Sequence, residues 1–282
     1  MQNLRIKQLD KRDLGTILKW AANEGWNPGS DDAEAFYSAD TSGFFGCFDG
    51  DRPISFISGV KYGKDFGFVG LYICDPELRG KGYGKLVWDH CIKSLHGRTM
   101  GLDGVIEQQD NYARSGFETA YRHIRYAGIS AVTSTDDKRI KRIDESTLPS
   151  LIEYDHKFFP PQRTSFLSKW LDPASQHRST FCYTEDGAIK GYGTIRTGHD
   201  AYRVGPLFAD DERIADSLFQ ALIGTVHGKE VHLDLPEPNA HALSLAEQYQ
   251  MEPVFETARM YKGTAPTFPL GNIYGVTTLE LG

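Results

Sequence analysis

The segment from Leu71 to Lys85 reads LYICDPELRGKGYGK and joins a strand-like run to a glycine-rich, basic turn. Gly80, Gly82 and Gly84 lack a Cβ, so the backbone there can approach an anion closely. A helix predicted to open near Gly82 adds N–H groups with no partner inside the helix, and its dipole favours negative charge. With the cations of Arg79 and Lys81 beside it, this turn suits a pyrophosphate. The spacing fits neither GxGxxG nor GxxxxGK[ST], which argues against dinucleotides and ordinary nucleotides.

Those residues need a strand before them and a helix after them. The pattern predicts strands near Arg5–Leu9, Gly43–Phe48, Pro53–Val60 and Phe66–Cys74, with a helix carrying Leu14, Ile17 and Leu18 on one face. A helix over about Gly82–Leu95 places Val87, Cys91 and Leu95 at helical spacing. A strand near Met100–Gly104, a short helix near Gln109–Ser115 and a strand near Glu118–Tyr126 follow.

The order then recurs. Arg5–Asp10 resembles Arg139–Asp144, Val69-Gly70 matches Val204-Gly205, Asp75 matches Asp210, and Leu102-Asp103 matches Leu233-Asp234. A common offset of about half the chain indicates two copies of one unit. We place the units at residues 1–130 and 138–282, with the polar stretch Ser130–Lys138 as linker. The tail Asn272–Leu281 is β-rich and predicts an added strand. Mid-sheet strands followed by helices, together with hairpins, define an α+β class.

The formal charge is −7, with no long basic run, which speaks against nonspecific nucleic-acid binding. No apolar run reaches the length of a signal or membrane span, so a cytoplasmic protein without membrane attachment is expected. Cys47, Cys74, Cys91 and Cys182 lack CxxC spacing; reduced thiols are expected, and no metal.

Arg79, Gly82 and Gly84, after Leu71–Cys74 and Asp75-Pro76, resemble motif A of the GNAT N-acetyltransferase superfamily, [RQ]-x-x-G-x-[GA]. Asn111-Tyr112-Ala113-Arg114-Ser115-Gly116-Phe117 is similar to the end of its motif B. The whole chain resembles tandem GNAT proteins with a divergent second half. The resemblance implies two tandem GNAT-like domains, each a twisted, mixed, mostly antiparallel sheet flanked by helices.

It further implies acetyl-CoA as co-substrate. Backbone groups of Tyr72, Ile73 and Cys74 would hold the acetyl carbonyl and pantetheine arm. The segment Arg79, Gly80, Lys81, Gly82, Tyr83, Gly84 and Lys85 would hold the pyrophosphate, with Asn111 a further contact. Tyr112 matches the family tyrosine that protonates the leaving thiolate, a role suited to a phenol whose pKa lies near that of a thiol. An amine that arrives protonated needs a base, for which Asp103 and Glu107 are the candidates. An acyl-enzyme on Cys74 is disfavoured because no histidine is evident to activate it.

In the second half the loop position reads Glu212-Arg213-Ile214-Ala215-Asp216-Ser217, without glycines and with added acids, so no CoA is expected there. Glu153, Asp155, His156 and Arg163 fall where the family borders its acceptor pocket, as does Trp26 in the first half. The expected activity is direct transfer of acetyl to a small-molecule amine by a monomer or homodimer. The alternatives are a protein N-acetyltransferase and a non-catalytic CoA-binding sensor or scaffold.

Overall fold

The structure, a computed structural model, describes residues 4–133, 137–159 and 161–282. In the first half β1 (Leu4–Gln8), α1 (Lys11–Asn23) and α2 (Asp32–Ala39) lead into antiparallel β2 (Phe44–Asp49), β3 (Arg52–Tyr62) and β4 (Phe66–Cys74). Helix α3 (Tyr83–Ser94) carries the chain to β5 (Thr99–Val105), parallel to β4; α4 (Gln109–Arg114) and β6 (Glu118–Ile129) follow. The second half repeats this order with β7 (Ile140–Arg142), α5 (Leu148–Asp155), α6 (Thr164–Trp170), β8 (Arg178–Glu185), β9 (Ala188–Thr197) and β10 (Tyr202–Ala209). It ends with α7 (Glu212–Gly224), β11 (Glu230–Pro236), α8 (Ala240–Gln248), β12 (Glu252–Lys262) and a short β13 (Ile273–Gly275) in the tail.

Local chemistry sets the ends and faces of these elements. Asp10 caps α1 through a reciprocal capping box with Asp13, and Leu14, Ile17, Leu18 and Ala21 bury one stripe of it. On α7 the buried stripe is Ile214, Ala215, Leu218, Phe219 and Leu222. Helices α3 and α4 cover one face of the first half and α7 and α8 the matching face of the second. Helices α1, α2, α5 and α6 lie over the opposite face and share one core, with Phe36, Phe56, Trp170 and Phe208 all buried in it. The halves therefore bury apolar surface against each other.

The sheet runs β1-β2-β3-β4-β5-β12-β6-β11-β10-β9-β8-β7, with β13 paired to β10. The α+β reading with two like halves holds, and their sheets join because each half gives its last strand to the other. Strand β12 pairs with β5, and β6 pairs with β11. The exchange is pinned twice in the same way. Arg259 on β12 sits opposite Asp103 on β5 and donates to both its oxygens at 2.9 and 2.8 Å. Arg125 on β6 sits opposite Asp234 on β11 and donates to both its oxygens at 2.6 and 3.0 Å. All four side chains are buried, where bidentate pairing offsets the cost of desolvation.

Of the expected linker Ser130–Lys138, residues 134–136 lie outside the described residues. Ser130 is buried, with its hydroxyl donating to the Ile223 carbonyl at 2.8 Å, so the stretch is anchored on α7 from its first residue. Among the described residues no helix is long and apolar enough to cross a membrane.

Candidate active site

Strands β4 and β5 pair only from Phe66–Thr99 to Val69–Leu102. Beyond that point β4 continues to Cys74 and β5 to Val105, and the two diverge. At the divergence β4 carries an extra residue relative to β3, and Leu71 takes a positive φ of 46°, which a branched aliphatic residue adopts only under constraint. The result is a cleft lined from β4 by Val69–Tyr72, from β5 by Leu102, Asp103 and Val105, and by Trp88 and Tyr112 behind. A strand-like ligand could add to the open edge of β4 here.

The turn beyond β4 is exposed from Arg79 to Gly82. Gly80 and Gly82 have φ of 75° and 82°, and a Cβ at either would meet nothing within 4 Å, so glycine is required there by conformation and the space above is open. Gly84 is different: a Cβ on it would lie 2.6 Å from the Tyr72 hydroxyl. Gly82 begins α3 with no side-chain cap and no acidic residue in the first turn, so the positive end of the helix dipole faces the open turn, which favours an anion. Arg79 donates through Nε to the Cys74 carbonyl at 3.1 Å and through Nη2 to Glu24, tying the turn to the end of α1. Lys81 Nζ donates to the Glu77 carbonyl at 3.1 Å, and Lys85 pairs with Asp89 one turn on. Open edge, uncapped helix and cationic turn fit the pantetheine and pyrophosphate of CoA.

Tyr112 is buried and stacks on Trp88, ring centroids 5.3 Å apart, and Trp88 lies equally close to Tyr72. Burial, with the Tyr72 hydroxyl nearby, raises the Tyr112 pKa, so its phenol carries its proton throughout the neutral range. Tyr72 is pushed up to about 12, also by burial. Ile73 is buried, pointing its side chain into the core beside β3, while Cys74 is half-buried with a thiol pKa raised chiefly by burial, unlike an activated nucleophile. Asn111 is exposed and donates to Gln108 at 2.8 Å, fastening the turn before α4.

The two expected bases are placed apart. Glu107 is exposed on the turn Ile106–Gln108 and does not line the cleft. Asp103 does line it, but both its oxygens receive Arg259 and one also meets His123 Nδ1 at 2.9 Å. Despite burial, those partners hold its carboxyl below the usual carboxylate range, which makes it a poor proton acceptor. Its counterpart Asp234 makes the same kind of pair in the other half, so the base expectation meets a structural alternative: Asp103 locks the exchanged strand.

The second half shows what becomes of the same slot when it is filled. Strands β10 and β11 pair from Tyr202–Val231 to Val204–Leu233, so the matched dipeptides Val69-Gly70 and Val204-Gly205 mark the same end of the ladder. In the gap beyond, β13 pairs with β10 at Leu207 and Phe208, and the Val276 N–H reaches the Asp234 carbonyl of β11 at 2.8 Å. The N-terminus of α7 is capped by Asp211, whose carboxylate accepts from the Ile214 N–H at 2.8 Å. Strand edge and helix end are both satisfied by the chain itself.

From β13 the tail passes over Gly205, where a Cβ would lie 2.5 Å from the Val276 carbonyl oxygen. It then crosses Gly70, where a Cβ would fall 1.8 Å from the Glu280 carbonyl oxygen, and Leu279 and Glu280 become walls of the first-half cleft. Arg163 holds the tail through Thr277 Oγ1 at 2.8 Å and the Gly282 carbonyl at 3.3 Å, and is itself gripped by Asp155. Of the second-half polar cluster, Asp155 and Arg163 are thus buried anchors of the tail, while Glu153 and His156 are exposed. Sequence reasoning missed Phe255, Thr257, Leu279, Glu280 and Arg125 as cleft residues. The matched Val-Gly pairs carried the one signal of this, a demand for close backbone approach. Among the described residues no group of three or more metal-ligating side chains is gathered.

A parallel pair of strands that part at a bulge, followed by a glycine turn opening a helix, defines a GNAT acyltransferase domain, and sequence comparison agrees. Residues 11–117 match the acetyltransferase (GNAT) family and residues 151–275 an acetyltransferase (GNAT) domain. The chain belongs to the GNAT acyltransferases, in their tandem form. It is 32% identical over 271 residues to a holothin acyltransferase from a Pseudoalteromonas species, covering 94% of this chain and 90% of that one. A crystal structure from Pyrococcus horikoshii, of a protein provisionally named an acetyltransferase, superposes with a TM-score of 0.84 at 18% identity, over 100% of this chain and 97% of that one. A tandem GNAT protein of the clavulanic acid biosynthesis pathway gives a TM-score of 0.64 at 15% identity, over 94% of this chain and all of that one.

Proposed function

We propose that the first half transfers an acetyl group from acetyl-CoA to a small-molecule amine, both bound together in the cleft between β4 and β5. The observation that carries this reading is the contrast between two equivalent slots, one open with an uncapped glycine turn and one filled by β13 and Asp211. Backbone of Tyr72, Ile73 and Cys74 would align the pantetheine arm, and the turn from Arg79 to Lys85 would take the pyrophosphate, with Asn111 steadying α4 beside it. Bound acetyl-CoA supplies the activated thioester.

The amine lone pair attacks the thioester carbonyl, the C–N bond forms, and the C–S bond breaks. Tyr112 gives its proton to the departing sulfur, the nitrogen loses one proton to water, and the phenolate is reprotonated from water, so atoms and charge balance over the turnover. Holding both reactants in one cleft supplies much of the acceleration. Asp103 acts as a positioning residue through β12, and Glu107 stands outside the cleft as a base reachable only by way of water. A small-molecule acceptor agrees with the name of the Pseudoalteromonas relative, which acts on holothin. We place the protein in the cytoplasm, as monomer or homodimer.

Incubation with acetyl-CoA and a panel of amines, reading free thiol, tests the reaction. Thiol release that needs an amine and disappears with Gly82→Val is the expected result. Tight CoA binding with no turnover of any amine would favour a CoA sensor instead.

A further inference from the structure

The charged groups that line the cleft are Asp103, Arg125 and Glu280, and each already faces an opposite charge. Asp103 is held by Arg259, and Arg125 by Asp234, both in two-point pairs. Glu280 Oε1 accepts from Arg203 at 3.2 Å, and its Oε2 accepts from the Thr278 hydroxyl. The third donor of Arg125, Nη1, is spent on the Trp26 carbonyl at 3.1 Å. A cationic amine entering here would lose its hydration and find no carboxylate free to replace it.

What the cleft offers instead is apolar. Trp26, Phe255 and Leu279 are half-buried and line it, so part of each surface stays open to a ligand. One neutral polar group stands out. Thr257 is 3% exposed, lines the cleft, and its Oγ1 has no hydrogen-bond partner among the described residues, a vacancy that costs free energy unless a guest fills it.

We infer that the acceptor is an uncharged aryl or heteroaryl amine, seated on Trp26, Phe255 and Leu279 and hydrogen-bonded by the Thr257 hydroxyl. Alkylamines resemble the lysine side chain and are protonated at neutral pH, with pKa of about 10. Delocalising the lone pair into an aromatic ring keeps an amine neutral there and flattens it, so that it matches the apolar ring surfaces of the cleft. Such an acceptor needs no base to prepare it for attack. The proton it sheds comes off only after the C–N bond has formed, when the nitrogen is positively charged and strongly acidic, and water can take it. This accounts for a cleft in which no carboxylate is free. It also gives the second half a purpose, since Phe255, Thr257 and Leu279 all belong to it.

This inference rests on the acyl-CoA reading, and the two can fail separately. CoA binding is measured first by calorimetry, without any amine; absence of saturable binding would remove the acyl-CoA reading itself. With acetyl-CoA present, kcat/KM is compared for aminothiazoles and substituted anilines against spermidine, kanamycin and a lysine peptide. The expected result is a preference for the uncharged amines of at least about a hundredfold, with kcat/KM level from about pH 6 to 8. Thr257→Val, Phe255→Ala and Leu279→Ala should each raise KM for the aryl amine about tenfold while KM for acetyl-CoA holds. Equal or greater kcat/KM for the cationic amines, climbing with pH as their neutral fraction grows, would overturn the inference. So would Thr257→Val and Leu279→Ala proteins that fold and bind CoA but keep the wild-type amine KM.

Discussion

Tyr112 lines the cleft with its ring held by Trp88, and burial raises its pKa, which keeps the phenol protonated at neutral pH but makes it a weaker acid than a free tyrosine. Tyr112→Phe keeps the ring and removes the proton. We expect kcat to fall about a hundredfold, in the range for loss of a general acid, with KM for acetyl-CoA unchanged. Full turnover in the thiol-release assay would end the assignment. Gly82 needs a positive φ, which costs a residue with a Cβ about 1–2 kcal/mol. Gly82→Val should therefore distort the turn and weaken CoA binding at least tenfold by calorimetry, in protein that remains folded. The motif around these residues was legible from glycine spacing alone. The fates of Asp103 and Glu107 were not, because a carboxylate's partners come from strands far away in the chain.

At the scale of elements, the reciprocal pairs Asp103–Arg259 and Asp234–Arg125 stitch β12 to β5 and β6 to β11. Removing one partner leaves a buried, unpaired charge at a cost of about 3–5 kcal/mol. Asp103→Asn and Asp234→Asn should lower the stability to urea by similar amounts. If Asp103 were also the base, Asp103→Asn protein that is still folded would have lost turnover altogether. Both carboxyls are held below their ordinary values when folded. Their contribution is thus complete above the unfolded aspartate pKa of about 3.9 and drains away as pH falls below it. Urea midpoints should stay level from about pH 7 to 5 on this account and drop below about pH 4. Gly70→Ala tests the tail contact: its methyl would displace the Glu280 carbonyl, so KM for the amine should rise.

At the scale of the molecule, the exchanged strands and shared core make the halves one folding unit. Residues 1–130 alone would leave β5 and β6 without β12 between them and uncover Phe36, which stacks on Trp170. That fragment should aggregate or form oligomers by strand pairing, as seen by size exclusion and far-ultraviolet dichroism. A cooperatively folding monomer would contradict the view that exchange is needed. The relative matched over 94% of the chain retains both halves, as this requires.

The sequence by itself determined the α+β class, the two-fold repeat and the glycine turn, because these rest on periodicity and short-range spacing. Val69-Gly70 and Val204-Gly205, matched only as counterparts in the repeat, lie where the structure ends each parallel pair. Which half supplies which strand, where the tail runs, and whether a carboxylate is free were decided only by the tertiary structure. Those outcomes depend on contacts such as Asp103 with Arg259 and Gly70 with Glu280, whose partners are more than half the chain apart and leave no local pattern to read.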